Sequence, residues 1–325
     1  MHKPMLRTIL ASILAASTLP AIAEPARAGW APAHKVEFVI PFGPGGGADI
    51  LARTLIRAIE EERLVPVPIV PVNRGGGGTA VGVSYVKASC DGDPNVLVLI
   101  NPQTQLTPMQ VAGAAGWRDL TPVTNIMVDD YTFVAKGGGA FDDAAGFIDA
   151  ARTQPPGTLT IGSAGTADDL AIALLERAGG VDLNVIRYNS GAEALTAVLG
   201  GHIDAAAGNP LEFLPYIQSG LLQPLGIMRE TRLAALDQVP TLKEQGLDSA
   251  NFQMWRGIAL PAHVPPEAVT YWRGVFEQAI RSPSVATFME KNLGTLKPLA
   301  GVEFTAFLEG QEASYRSLLP APRTN

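Results

Sequence analysis

Cysteine and histidine are scarce in this chain, whose 325 residues include one cysteine, Cys90, and four histidines. One cysteine cannot form an internal disulfide, and no histidine has a second histidine or a cysteine at metal-ligand spacing. The sequence therefore predicts no disulfide framework, no metal site and no cofactor. We interpret Cys90 as a buried, unreactive thiol.

Basic residues are also in the minority, with 24 lysines and arginines against 31 aspartates and glutamates and a net charge of −7. They form no basic cluster, which argues against binding to nucleic acid or to an anionic membrane surface. Charged residues make up only 17% of the chain, and 34 residues are glycine. That composition indicates tight loops between ordered elements rather than disorder.

The chain also lacks an apolar run long enough to span a membrane. The N-terminal run, residues 9–19, follows Lys3 and Arg7 and is too short to cross roughly 30 Å of hydrocarbon. Small residues after it fit signal-peptidase cleavage after Ala23 or Ala28, and no cysteine follows that could carry a lipid anchor. We therefore expect residues 1–28 to be a signal peptide, and the mature protein to be soluble and periplasmic.

Strand-like and helix-like segments alternate along the rest of the chain. Short β-rich runs at residues 36–42, 68–72 and 96–100 are each followed by a glycine-containing loop or a helical stretch. The last of these runs is fully apolar, which is typical of a buried parallel strand. This order predicts an α/β fold with ligands at the carboxyl ends of the strands.

A second set of strands, between residues 131 and 227, repeats the same pattern, and a strand at residues 255–260 follows it. We therefore expect two lobes around a cleft. Lobe 1 would contain residues 29–131 and 253–325, and lobe 2 residues 132–252. Each lobe is expected to be a mostly parallel sheet flanked by helices.

A glycine-rich loop at residues 41–49 is the strongest local signal. It separates a strand from a helix, where glycines bring backbone N–H groups close to a ligand and the helix N-terminus carries a partial positive charge. Asp49 could cap that helix. Similar turns at residues 162–166 and 188–191 lie in the second lobe. The three turns together predict an anion site built from both lobes, although a plain glycine-rich turn remains an alternative for the first.

Other ligands and a catalytic role fit the sequence less well. A phosphate-binding loop would place a lysine after the glycines, and none follows. The spacing Gly43-x-Gly45-x-x-Ala48 matches a dinucleotide-binding turn, but Asn73 and Arg74 follow the second strand, where that fold needs an acidic residue. No serine lies in the Gly-x-Ser-x-Gly turn of hydrolases. We interpret Asp168 and Asp169 as acidic residues that favour a helix N-terminus.

Five segments with a common order and spacing carry a family resemblance. They are VIPFGPGGGAD at residues 39–49, VNRGGGGT at 72–79, GGHIDA at 200–205, VPTLKEQG at 239–246 and WRGIALP at 255–261. With these segments the chain resembles the substrate-binding component of tripartite tricarboxylate transporters, the Bug or TctC-like family. The runs at residues 75–78 and 255–257 look closest to its tricarboxylate-type branch.

The resemblance implies a two-lobed periplasmic-binding-protein fold of the type II, Venus-flytrap class. It also implies a non-catalytic, monomeric protein that binds a small di- or tricarboxylate and delivers it to membrane transporter subunits. A secreted α/β hydrolase and a sensor partner without transport stay open as alternatives. The implied ligand contacts are Gly45, Gly46, Gly47, Asp49, Gly77, Thr79 and Thr104 in lobe 1, and Ser163, Gly165, Thr166, Tyr188, Ser190, Gly191 and Asn209 in lobe 2.

One position departs from the family pattern. The family often has histidine where this chain has Asp169, directly before Leu170. An acidic group at that position would repel a carboxylate ligand if it faced the cleft.

Overall fold

The structure is a computed structural model that describes residues 29–248 and 252–319. The expected signal peptide, residues 1–28, lies outside the described residues. Within the described part of the chain, no helix combines the length and the apolar character that crossing a membrane requires.

Eleven strands and ten α-helices alternate along the described residues. The strands are β1 (Val36–Ile40), β2 (Ile69–Asn73), β3 (Val96–Ile100), β4 (Leu120–Asp130), β5 (Thr132–Lys136), β6 (Thr160–Ser163), β7 (Asn184–Arg187), β8 (Ala205–Gly208), β9 (Leu222–Ile227), β10 (Gln253–Pro261) and β11 (Thr295–Ala300). The helices are α1 (Gly47–Glu61), α2 (Ala80–Ser89), α3 (Gln103–Gln110), α4 (Ala144–Thr153), α5 (Thr166–Gly179), α6 (Gly191–Leu199), α7 (Pro210–Gln218), α8 (Pro266–Ala279), α9 (Pro283–Asn292) and α10 (Gly301–Leu318).

The strands form two sheets, as the sequence predicts for an α/β protein with two lobes. The first sheet has the strand order β11-β4-β10-β3-β1-β2, and the second has the order β7-β6-β8-β5-β9. In the first sheet β1 runs parallel to β2 and β3, which agrees with the expected β-loop-α units. In the second sheet β6 runs parallel to β7 and β8.

The expectation that each sheet is mostly parallel is wrong, because both sheets are mixed. β10 is antiparallel to β3 and β4, and β11 is antiparallel to β4. β5 is antiparallel to β8 and β9. Parallel neighbours need a crossover connection within one sheet. The chain instead enters β5 directly from β4 of the first sheet, and it enters β10 from the segment after β9 of the second sheet. Both strands are antiparallel to their neighbours.

Amphipathic helices cover the sheets and form the cores. In α1 the predicted stripe Leu51, Leu55 and Ile59 is buried against the first sheet, where it packs with Trp272 and Phe276 of α8. All five residues of β3 are buried, as its apolar sequence predicts. Cys90 is also buried, and this burial raises the pKa of its thiol.

The chain passes between the two sheets at few points. Tyr131 alone separates β4 of the first sheet from β5 of the second. The last helix, α10, contacts both cores: Phe304 and Leu308 lie in a core of the first sheet, whereas Tyr315 lies in a core of the second. The indole N–H of Trp255 on β10 donates to the hydroxyl of Tyr315 at 3.0 Å. The helix therefore packs against both sheets and links them.

Candidate ligand-binding site

The first glycine loop joins β1 to α1 and is shaped by Asp49. The Asp49 carboxylate accepts hydrogen bonds from the backbone N–H of Gly45 at 2.9 Å, from Arg53 Nε at 3.0 Å and from Asn73 Nδ2 at 2.9 Å. Burial opposes ionisation, but these hydrogen bonds outweigh it and hold the pKa of Asp49 below its usual value. Gly45 and Asp49, both expected ligand contacts, therefore bind each other and stiffen the loop.

The carboxylate of Glu212, from lobe 2, lies at the amide site of this loop, the place where its backbone N–H groups would bind an anion. It lies in the first turn of α7, and its Oε1 accepts a hydrogen bond from the backbone N–H of Gly47 at 2.6 Å. A Cβ atom added to Gly191 would lie 1.9 Å from Glu212 Oε2, so the carboxylate rests on the N-terminus of α6 as well. One side-chain carboxylate thus takes the position between two helix N-termini that the sequence analysis reserves for a ligand.

Glu212 is a residue of the candidate site that cannot be recognised from the sequence. Its position in the first turn of α7 resembles ordinary helix acidity, and 165 residues separate it from its partner Gly47. Burial raises the pKa of Glu212, although Arg256 and the N–H of Gly47 act in the opposite direction.

An inner cavity of about 30 Å³ lies beside Glu212. Such a volume holds one or two water-sized groups. The expected contacts that line it are Gly46, Gly47, Ser190, Gly191 and Asn209. The polar lining residues that the sequence analysis does not single out as ligand contacts are Asn101, Gln103, Asp168, Glu212 and Arg256.

Arg256 is the cation of the inner cavity, and it is already paired. Its side chain is only 2% exposed, and Nη2 donates to Asp129 Oδ2 and to Asn209 Oδ1, both at 3.0 Å. Asn209 Nδ2 in turn donates to the carbonyl oxygen of Asp130 at 3.0 Å. Burial raises the pKa of Asp129 to about 6, although Arg256 opposes this effect. Asn209 therefore reaches the cavity, but its amide is engaged in this network.

Asp168 brings a second carboxyl group to the inner cavity. It accepts hydrogen bonds from the N–H of Ala164 at 2.6 Å and from the hydroxyl of Tyr131 at 3.0 Å. Burial raises the pKa of Asp168 to about 7; the Ala164 hydrogen bond opposes the rise, and the charge of Glu212 adds to it. The residue does lie in the first turn of α5, as the sequence predicts, yet it also faces the cavity.

An outer cavity of about 510 Å³ adjoins the inner one, and Phe42, Gln103 and Ala164 line both. The expected contacts that line the outer cavity are Gly77 and Thr79 from lobe 1, and Gly165, Thr166 and Tyr188 from lobe 2. Its volume is sufficient for a small organic acid.

The second glycine loop gives the outer cavity its anion-binding character. Gly76, Gly77, Gly78 and Thr79 have φ angles of 128°, 58°, 59° and 81°, so the backbone is left-handed up to the start of α2. Left-handed turns of this kind and helix N-termini direct backbone N–H groups at anions. The buried hydroxyl of Thr79 has no hydrogen-bond partner among the described residues. The N-terminus of α5 lies across the same cavity, at Gly165 and Thr166.

Four expected contacts, Gly45, Asp49, Thr104 and Ser163, line neither cavity. The Thr104 hydroxyl donates to the carbonyl oxygen of Asn101 at 2.7 Å, and the Ser163 hydroxyl donates to Asp169 Oδ1 at 2.7 Å. Both side chains are therefore engaged within the protein. Gln103, the neighbour of Thr104, faces both cavities instead.

Asp169 does line the outer cavity, but its charge is balanced. Its Oδ2 lies 3.0 Å from Nε of Arg187, which lines the same cavity. The repulsion that the sequence analysis anticipates at this position is therefore reduced by a neighbouring guanidinium.

The two lobes touch on either side of the cavities. Besides the Gly47–Glu212 hydrogen bond, the hydroxyls of Thr107 and Thr166 are 3.1 Å apart, and the N–H of Gly43 donates to the carbonyl oxygen of Asn189 at 3.4 Å. Across the ranges 29–248 and 252–319, no three His, Cys, Asp or Glu side chains are grouped so that they could hold a metal ion.

Comparison with known proteins agrees with this arrangement. The family model described as "Tripartite tricarboxylate transporter family receptor" matches residues 51–302. BugT of Bordetella pertussis is 24% identical over 268 residues, covering 81% of this chain and 82% of BugT. The solved structure of the periplasmic binding protein BugD has a TM-score of 0.83 at 20% identity, covering 88% of this chain and 97% of BugD. MatC from Rhodopseudomonas palustris with bound malate has a TM-score of 0.82 at 20% identity, covering 88% of this chain and 99% of MatC.

Proposed function

The chain belongs to the tripartite tricarboxylate transporter receptor family, and we propose that it captures a small di- or tricarboxylate between its lobes and hands it to a tripartite membrane transporter. In this proposal the mature protein is a periplasmic monomer without catalytic activity. The lobes are residues 29–131 with 253–325, and residues 132–252.

The outer cavity is the observation that carries the proposal. Both lobes line it, with Gly77 and Thr79 on one side and Gly165, Thr166 and Tyr188 on the other. Hydrogen bonds to a charged carboxylate contribute roughly 1.5–3 kcal/mol each. Three or four of them sum to about 5–12 kcal/mol, a range that includes the roughly 8 kcal/mol of a micromolar complex before the cost of immobilising the ligand is subtracted.

Lobe closure around the acid is the mechanism that the two-lobed fold supports. Only Tyr131 separates β4 from β5, so a small rotation there would move the lobes relative to each other. A carboxylate that bridges the α2 and α5 N-termini binds the closed form better than the open form and shifts the population towards it.

A hydrolase is not favoured by the site. The hydroxyl of Ser163 donates to Asp169, and that of Ser190 accepts from the N–H of Glu193 at the start of α6. None of the described residues that line the two cavities is a histidine that could act as general base. Binding without turnover is therefore the function that these residues support.

Calorimetry of the mature protein with a panel of carboxylates tests the proposal. The panel contains citrate, malate, succinate, adipate, aromatic acids and acidic amino acids, each at neutral pH. We expect at least one acid to bind with a micromolar or lower Kd and to raise the unfolding temperature. Absence of binding heat and of thermal stabilisation across the whole panel would refute the carboxylate assignment.

A further inference from the structure

We propose that Glu212 determines which acids this cleft accepts: its carboxylate fills the amide site of the first glycine loop, so that the ligand anchors one carboxylate in the outer cavity and directs a hydrogen-bond donor, not a second carboxylate, at the inner cavity. The donor is a hydroxyl or an ammonium group. This inference rests on the proposed function, and it selects one class among the acids that such a receptor could bind.

The position of Glu212 is the first step. Its Oε1 takes the N–H of Gly47 at 2.6 Å, and its other oxygen lies against Gly191. The helices that start at these two glycines have 15 and 9 residues, so the carboxylate lies against the first residue of both. The anion site is therefore occupied by the protein itself, and a ligand carboxylate placed beside it would meet a like charge.

The remaining charges of the inner cavity do not compensate for that repulsion. Asp168 adds a second carboxyl group, whereas the described lining supplies Arg256 as its one cation. Arg256 already pairs with Asp129 at 3.0 Å. Among the described lining residues, hydrogen-bond acceptors outnumber the positive charges that could hold a second ligand carboxylate. The inner cavity therefore suits a hydrogen-bond donor of the ligand.

Gln103 is the independent sign that a ligand group belongs here. Its side chain lines both cavities, the residue is 3% exposed, and its Oε1 has no hydrogen-bond partner among the described residues. Buried polar atoms are normally paired. Nε of Arg256 is buried and lacks a described partner as well. One of these atoms is an acceptor and the other a donor, and a hydroxyl has a partner for either kind.

The sizes of the two cavities agree with this division. The outer cavity, of about 510 Å³, has room for the body of the acid and its carboxylate, whereas the inner cavity of about 30 Å³ admits a group the size of water. Hydroxyl and ammonium groups have that size, and a hydrated carboxylate does not.

Two matched series of acids test the inference by calorimetry at pH 8. The four-carbon series is butyrate, 4-hydroxybutyrate, 4-aminobutyrate and succinate; the six-carbon series is hexanoate, 6-hydroxyhexanoate, 6-aminohexanoate and adipate. In the unaltered protein, the hydroxy or amino acid of at least one series should bind roughly tenfold more tightly than the dicarboxylate of equal length. The substituent that binds better tells a hydroxyl from an ammonium ligand.

Glu212→Gln is the decisive variant, and Glu290→Gln is its control. Glutamine keeps the shape of the side chain and removes its charge, so the dicarboxylate should gain about tenfold in affinity. Glu290 is exposed on α9, away from both cavities, and changes the net charge equally. Its substitution should leave every affinity unchanged. Unfolding temperatures of the variants verify that they are folded.

A second variant keeps the inference testable if Glu212→Gln is unstable. Gln103→Met removes the polar amide at similar length and should reduce the preference for the hydroxy or amino acid over the unsubstituted acid about tenfold. Dicarboxylates that bind the unaltered protein as tightly as the donor-bearing acids, with no response to Glu212→Gln, would overturn the inference while leaving the receptor function intact. If neither series binds, the inference is overturned as well. Binding of any other acid would in that case still support the receptor function.

Discussion

The first glycine loop, residues 43–47, and the second, residues 75–79, both lead from a strand of the first sheet into a helix, yet they differ in what their backbone binds. In the first loop, N–H groups of Gly45 and Gly47 are taken by Asp49 and Glu212. The second is left-handed from Gly76 to Thr79 and borders the outer cavity. Side chains thus take amides of the first loop, one of them from 165 residues away, whereas the second loop borders the cavity that we propose for the ligand.

The two loops are also in contact with each other. A Cβ atom added to Gly75 would lie 2.9 Å from the nitrogen of Gly43, so the absence of a side chain lets one loop pack on the other. Phe42, Gln103 and Ala164 line both cavities, so the proposed ligand would reach the inner cavity from the outer one.

The largest expected effect contrasts two Arg–Asp pairs of equal length. Arg256–Asp129 and Arg187–Asp169 are both 3.0 Å apart, but the Arg256 side chain is 2% exposed and that of Arg187 is 67% exposed. Arg256→Met should cost about 3–5 kcal/mol of unfolding free energy, because Asp129 and Asn209 lose a buried partner. Arg187→Met should cost less than about 1 kcal/mol. Urea denaturation measures both values; equal losses would show that the inner network does not stabilise the fold.

A smaller effect tests the second loop directly. Thr79→Val removes a buried hydroxyl that has no partner among the described residues. If the hydroxyl binds the ligand carboxylate, the variant should lose about tenfold or more in affinity, because a hydrogen bond to a charged group is lost. Thr270→Val, on the exposed surface of α8, is the matched control. Calorimetry with the best-binding acid compares them, and an unchanged Kd for Thr79→Val would remove the second loop from the site.

The smallest effect concerns pH and the inner cavity. Burial raises the pKa of Asp168 to about 7 from 3.8, so between these values the folded protein binds a proton that the unfolded chain does not. The contribution of Asp168 to the free energy of unfolding is therefore fully present below about pH 4, and it is lost as the pH rises through about 7. Asp129, with a pKa of about 6, acts in the same direction.

Thermal unfolding between pH 8 and pH 5 measures this effect. The contribution of Asp168 should raise the unfolding temperature as the pH falls, and Asp168→Asn should weaken that gain. Asp142→Asn, at an exposed site, should leave the gain unchanged. Glu212, Asp169, Tyr131 and Arg256 face this part of the structure in both proteins, so the difference between variants is the quantity to compare. Identical pH profiles would contradict a protonated Asp168.

Local patterns in the sequence predict the two sheets, the helix stripes and an anion site at the strand-to-helix turns. Gly165, Thr166 and Tyr188 are found where the strand-to-helix turns predict them, because the carboxyl ends of neighbouring strands meet at one edge of a sheet. The family resemblance singles out Gly77 and Thr79, and both line the outer cavity.

The inner cavity escapes such reasoning because its partners are far apart in the chain. Glu212 meets Gly47 over 165 positions, and Arg256 meets Asp129 over 127. No periodicity marks these pairs, and the acidic residues at helix starts have an ordinary local explanation. The antiparallel direction of β10 cannot be predicted from local patterns for a related reason. The direction of this strand depends on how the chain returns from the second lobe.

A crystal structure with the tightest-binding acid would show which glycine loop holds the ligand. We expect the ligand carboxylate beside Gly77, Thr79 and Thr166, with Glu212 still bound to the N–H of Gly47. A ligand carboxylate on Gly46 and Gly47, with Glu212 displaced, would contradict this expectation.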